Sequence, residues 1–213
     1  TGHEGNCEAC FTRLESYVRR HFDVEEISFR WSSQYYEPTD GLAYIGLLPG
    51  HEENIYVATG FGGNGMIYGT ISGIALSDLM QDQPSPYAKL FDPSRIKPVA
   101  GFSNFVKEAA DVVAELVTGR FGADAIKTVG ELAAGEAKVV KFDNKTIALY
   151  KDEAHNLHAV SPACTHIKCT VGWNNAEQTW DCPCHGSRFS VDGEMLTGPA
   201  RKDLQRFEIF DSE

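Results

Sequence analysis

The chain has 213 residues, 42% of them hydrophobic, and its 30 acidic and 19 basic side chains give a net charge of -11. With no Lys/Arg-rich block to oppose that charge, nucleic-acid binding is disfavoured. No apolar run approaches the ~18 residues that span a bilayer, so no membrane anchor is expected, and the length allows one large or two small domains.

The chain opens on Thr1-Gly2-His3-Glu4-Gly5, which reads as the continuation of a longer polypeptide. Apolar side chains then fall at Phe11, Leu14, Tyr17 and Val18, a spacing that predicts an amphipathic helix over residues 7–21. Cys7 and Cys10 form a C-x-x-C at its start. Such a pair can be a dithiol redox site, but no thioredoxin-like βαβ pattern surrounds it, and incidental helix cysteines are the better reading. Residues 24–31 read as a strand, residues 37–41 as a turn, and residues 42–46 and 54–59 as β segments. A glycine-rich stretch, Gly60-Phe61-Gly62-Gly63-Asn64-Gly65, leads into a helix over residues 66–80. A G-x-G-x-x-G between strand and helix fits a dinucleotide fingerprint, but a Rossmann unit needs a further buried strand. Gln81-Asp82-Gln83-Pro84 follows instead, so the fingerprint is read as false.

A second helix is expected over residues 103–119, with Ser103 as N-cap. From residue 126 the texture changes to short β segments at 137–142, 146–150, 157–161, 179–181 and 206–210, with a hairpin-like turn at residues 141–145. Within this part lie two boxes, Cys164-Thr165-His166-Ile167-Lys168-Cys169 and Cys182-Pro183-Cys184-His185-Gly186-Ser187. Each offers a Cys and His pair and one spare Cys. Thiolates favour ferric iron, whereas neutral imidazoles make reduction easier, so a mixed set suits a cluster built to accept electrons. A structural zinc knot is the competing reading, since Cys and His at short spacing also suit tetrahedral zinc.

These boxes resemble the Rieske 2Fe-2S family, whose pattern is Cys-x-His, a spacer, then Cys-x-x-His. The resemblance covers about residues 124–213. It implies that Cys164 and Cys182 hold the inner iron and His166 and His185 the outer one, with Cys169 and Cys184 joined in a disulfide. It also implies that Ser187 donates a hydrogen bond to a cluster sulfur, that residues 198–200 shield the cluster, and that Phe189 stands where high-potential members carry Tyr. Lys168 replaces the Gly often found at its position. If that position needs a positive φ, Lys carries strain of order 1 kcal/mol. In a cytoplasmic setting, the expected location, thiols are normally reduced, and the cluster loops would have to protect the disulfide. Trp173 and Trp180 are expected in the core.

Residues 30–95, with Glu37-Pro38-Thr39-Asp40-Gly41-Leu42, the run Tyr56 to Met66 and Phe91-Asp92-Pro93-Ser94-Arg95, resemble the C-terminal end of the glycine/D-amino-acid oxidase-like FAD enzymes. The resemblance implies that Gly62, Gly63, Asn64, Gly65 and Met66 lie against a flavin ring. Backbone N–H groups and the helix N-terminus there can stabilise charge on a reduced ring.

The expected architecture is therefore an α+β flavoenzyme portion with a helical connector over residues 1–122. An all-β Rieske domain of antiparallel sheets with cluster-binding loops should follow over residues 123–213. The expected function is electron transfer through a 2Fe-2S cluster within an FAD-dependent oxidoreductase of amine or amino-acid-like substrates, the FAD belonging to the full-length parent. Its partner is a redox protein or flavin. The alternative is a stand-alone electron carrier or redox sensor with residues 1–120 as scaffold.

Overall fold

A computed structural model describes residues 6–51, 54–95, 106–107, 109–114, 116 and 123–209. The chain divides into two compact units, Ser33–Ala109 and a second made of Thr1–Ser32 with Ala110–Glu213.

Helix α1 (Cys7–His21) forms as the spacing predicts. The Asn6 side chain accepts from the Ala9 N–H at 3.0 Å, Glu8 sits in the first turn, and Arg19, Arg20 and His21 close the last. Acid at the start and base at the end complement the helix dipole. Residues 24–31 are a correction to the sequence reading: they form no strand among the described residues. Phe29 and Trp31 are 83% and 70% exposed, and β-prone side chains without a neighbouring strand have no ladder to join.

In the unit Ser33–Ala109, β1 (Tyr44–Leu47) pairs antiparallel with β2 (Tyr56–Thr59), Tyr44 opposite Thr59. Then come α2 (Gly65–Met80) and a short α3 (Ala88–Phe91), which the sequence reading had not anticipated. Ala43, Ile45, Ala75 and Phe91 are buried, and Tyr68 lies 5.8 Å from both Phe61 and Phe91. Arg95 pairs with Asp40 at 2.8 Å and lies 3.9 Å from the Tyr44 ring. Both charges are 6% exposed, and a buried pair holds only when its remaining donors are satisfied. Here Arg95 also donates to the Ala43 carbonyl at 2.8 Å. Because β1 and β2 form an antiparallel hairpin, the glycine-rich stretch does not open a parallel βαβ unit.

Residues 106–107, 109–114 and 116 are helical, as expected; Ser103 lies outside the described residues. The β-rich part forms two four-stranded sheets. In the first, β3 (Asp124–Ala125), β4 (Ala137–Phe142), β5 (Lys145–Lys151) and β6 (Leu157–Val160) lie in that order. The β4–β5 turn places Asp143 and Asn144 at φ 46° and 60°, as a two-residue hairpin requires. The β3–β4 pair is parallel, which corrects the wholly antiparallel expectation. The second sheet contains β7 (Gly172–Asn174), β8 (Thr179–Asp181), β9 (Arg188–Phe189) and β10 (Met195–Thr197). The expected strand at 206–210 is a single bridge from Arg206 to Val160, Phe210 lying outside the described residues. Trp180 is fully buried beside Cys164, Cys169 and Cys182, and Trp173 packs against that core.

Candidate iron–sulfur centre

The first box links the first sheet to the second, and the second box is a connection within the second sheet. The first lies between β6 and β7 and the second between β8 and β9. They repeat one turn. Cys164 N–H donates to the Cys169 carbonyl at 2.9 Å, and Lys168 N–H to the Cys164 carbonyl at 3.0 Å. In the second box Cys182 N–H donates to the Ser187 carbonyl at 2.7 Å, and Gly186 N–H to the Cys182 carbonyl at 2.9 Å. Lys168 and Gly186 are therefore equivalent positions, and both have positive φ, 68° and 74°. Glycine adopts that conformation freely, whereas Lys carries the expected strain.

The turns sort the donors by depth. Cys164 and Cys182 are free thiols, 0% and 1% exposed, while His166 and His185 lie at the surface with ring centroids 4.9 Å apart and planes at 84°. Cys169 and Cys184 are joined in a disulfide across the two loops. Cys169, Cys182 and Cys184 crowd within 4.8 Å, but the disulfide removes two of these as thiolate ligands and leaves Cys182.

The inner thiols are wrapped in donors. Hydrogen bonds from Cys182, the His166 N–H and the Ser187 hydroxyl together lower Cys164 to about 6, against the effect of burial. The same bond and burial push Cys182 up, although the N–H groups of Cys184 and His185 point the other way. The pair thus gives up one proton readily and holds the second, which metal binding must displace. Although His185 reaches the surface, partial desolvation of its ring lowers its pKa, helped by the neighbouring His166, and favours the neutral imidazole that coordinates metal.

A third loop closes over the site. Ala200 N–H donates to the Ser187 hydroxyl oxygen at 2.9 Å, and the Thr165 hydroxyl to the Lys202 carbonyl at 2.6 Å. The base of the second box is held by buried Asp181, which accepts from Arg188 at 3.0 Å, Asn174 at 3.0 Å and Thr179 at 2.9 Å. Arg188 also reaches Glu177 at 2.6 Å. The sequence reading singled out the Gly198-Pro199-Ala200 loop but missed the Asp181–Arg188–Glu177 network. Its only sequence signal is a charge on each side of a Cys/His box, which is common on any surface.

Phe189 is fully buried and brings no hydroxyl to the site. Cys7 and Cys10 are not disulfide-bonded; the Cys7 N–H donates to Asn175 and Cys10 accepts from Arg13 at 3.1 Å. Gly62, Gly63, Asn64, Gly65 and Met66 lie in the other unit, at the N-terminus of α2. Gly62 and Gly63 have φ 55° and 81°, and Met66 is 90% exposed.

Two buried thiols with N–H and O–H donors aimed at sulfur, beside two surface imidazoles, fit a 2Fe-2S cluster with one deep and one exposed iron. Structural zinc favours closed tetrahedral sites, which this depth sorting does not resemble. Fold and donor set together define an iron–sulfur electron-transfer protein.

The chain belongs to the Rieske family: the Rieske 2Fe-2S domain pattern matches residues 124–208. A cytochrome b6-f complex iron-sulfur subunit of Nostoc is 31% identical over 66% of this chain and 72% of its own length. A Bacillus subtilis protein described as a Rieske 2Fe-2S iron-sulfur protein, YhfW, is 35% identical over 93% of this chain, which spans 39% of that relative's length. Among solved structures, the plasma-membrane Rieske protein PetC3 of Synechocystis is 31% identical, covering 39% of this chain and 85% of its own, with a TM-score of 0.35.

Proposed function

We propose that the chain passes single electrons through a Rieske 2Fe-2S cluster held by Cys164 and Cys182 on the inner iron and by His166 and His185 on the outer. The observation that carries this is the depth sorting of the twin loops, with the two thiols buried and the two imidazoles at the surface. A bound 2Fe-2S cluster supplies a one-electron redox couple. The chain's own residues do the rest. The imidazole edges offer the shortest exit, the disulfide pins one loop to the other, and Ser187 presents its hydroxyl to the Cys164 sulfur.

The larger context is a flavin-dependent oxidoreductase acting on an amine or amino-acid-like substrate, with residues 33–109 as part of its flavin-binding portion. Two observations support it. The Bacillus relative matches nearly the whole chain yet is more than twice as long. Helix α2 carries one charge, Asp78, in sixteen residues, and Thr70 and Ser72 turn their hydroxyls onto its own carbonyls. A helix apolar on every side belongs inside a larger fold, yet Met66 and Ile67 are 90% and 62% exposed.

The purified chain should be red-brown with two irons and two acid-labile sulfides, and without flavin. Stoichiometric zinc, or a colourless protein without iron, contradicts the cluster. If the complete reading frame yields a protein without bound flavin, the flavoenzyme context fails and the stand-alone carrier or sensor stands.

A further inference from the structure

The loops around the imidazoles are charged differently from the rest of the chain. Residues 164–169, 182–187 and 197–202 contain Lys168, Arg201 and Lys202 and no acidic residue, a local +3, which leaves -14 for the other residues. All three basic residues are exposed. Backbone contacts hold them around the site: Lys168 N–H on the Cys164 carbonyl, the Lys202 carbonyl on Thr165, and Ala200, next to Arg201, on Ser187. The next charge along, Asp203, is held on the Met195 N–H at 2.8 Å. Leu196, 55% exposed in β10, leads directly into the third loop, and half-buried Ile167 precedes Lys168 in the first. Lys168 stands at positive φ where the twin loop has Gly186, and strain of this kind collects at functional positions.

We propose that Lys168, Arg201 and Lys202 form a basic docking rim for a redox partner protein that presents an acidic patch. The rim draws that patch onto the exposed His166 and His185 edges against the repulsion of the acidic body. This rests on electron exit through those imidazoles. Charge at a contact steers encounter and sets its salt dependence, and at ~10 Å screening in 0.1 M salt a local patch outweighs distant charge.

The dithionite-reduced protein is oxidised by ferricyanide, one electron passing from cluster to ferricyanide to give ferrocyanide, and by hexaamminecobalt(III) in parallel. Between ~10 mM and ~0.5 M salt the ferricyanide rate should fall several-fold while the cobalt rate does not fall. Arg201→Gln/Lys202→Gln should remove most of the ferricyanide salt dependence with an unchanged visible spectrum. Independently, redox-inert hexacyanochromate(III) should broaden the Leu196 methyl signals of the oxidised protein more than those of Ile45, and less in the double variant. A ferricyanide rate that rises with salt, or a double variant with wild-type salt dependence and broadening, overturns the rim. Failure to assemble any cluster overturns the electron-transfer reading itself, a different result.

Discussion

The cluster loops and the glycine-rich segment of the other unit both look like cofactor sites in sequence, yet they differ in completeness. Around Cys164 and Cys182 every element closes on another, with twin turns, a disulfide, a third loop anchored on Ser187 and a buried carboxylate bracing the base. Around Gly62, Gly63 and Asn64 the chain supplies a helix N-terminus whose N–H groups receive no side-chain cap from Asn64, on a helix without a polar face. The first region carries its own binding chemistry. Under the proposed function the second lends one wall to a larger fold.

The comparison breaks most visibly if the donors are removed. Cys182→Ser or His185→Ala should abolish the cluster, read as loss of visible absorbance and of iron. Cys7→Ser and Cys10→Ser should leave both unchanged; cluster loss in either would make that pair part of the site.

Stability should divide the two regions as well. Leu149, fully buried, should cost about 2–5 kcal/mol as Leu149→Ala, whereas Ile67→Ala on the open face of α2 should change stability by less than about 0.5 kcal/mol. Denaturant unfolding of the two variants measures the contrast, and a comparable loss at Ile67 would show α2 to be packed.

Within the complete region the twin turns can be set against each other. Lys168→Gly gives the first loop the residue of the second and should stabilise the protein by about 1 kcal/mol, seen as a raised unfolding midpoint. Destabilisation would mean that the Lys168 side chain contributes more than its backbone costs.

The smallest expected effect is on the potential. Ser187→Ala removes a donor to the Cys164 sulfur and should lower the midpoint by roughly 20–65 mV, the one-electron equivalent of a net ~0.5–1.5 kcal/mol hydrogen bond. Phe189→Tyr, adding a hydroxyl, should raise it. Protein-film voltammetry reads both, and an upward shift for Ser187→Ala contradicts the donor role.

What sequence could foresee tracks how local each cause is. Helix α1, the turn at Asp143-Asn144 and β4 follow from spacing and turn chemistry within a few residues, and they form where expected. The Lys168 strain was legible only through the family resemblance, which puts Gly at that position, and the positive φ of 68° bears it out. Residues 24–31 misled because strand propensity says nothing about whether a neighbouring edge exists. β7, β9 and β10 are two or three residues long, too short for any periodicity to announce. The Asp181–Arg188–Glu177 network and the anchoring of Lys202 on Thr165 depend on contacts between loops, which no local pattern encodes.

The central claim is that the cluster has two imidazole ligands from this chain's surface and two thiolates from its interior. Pulsed EPR of the dithionite-reduced protein tests it most directly, because ligand nitrogen couples to the unpaired electron. Two inequivalent nitrogen-14 couplings in the wild type are the result this account predicts. A paramagnetic cluster with no strongly coupled nitrogen would contradict it.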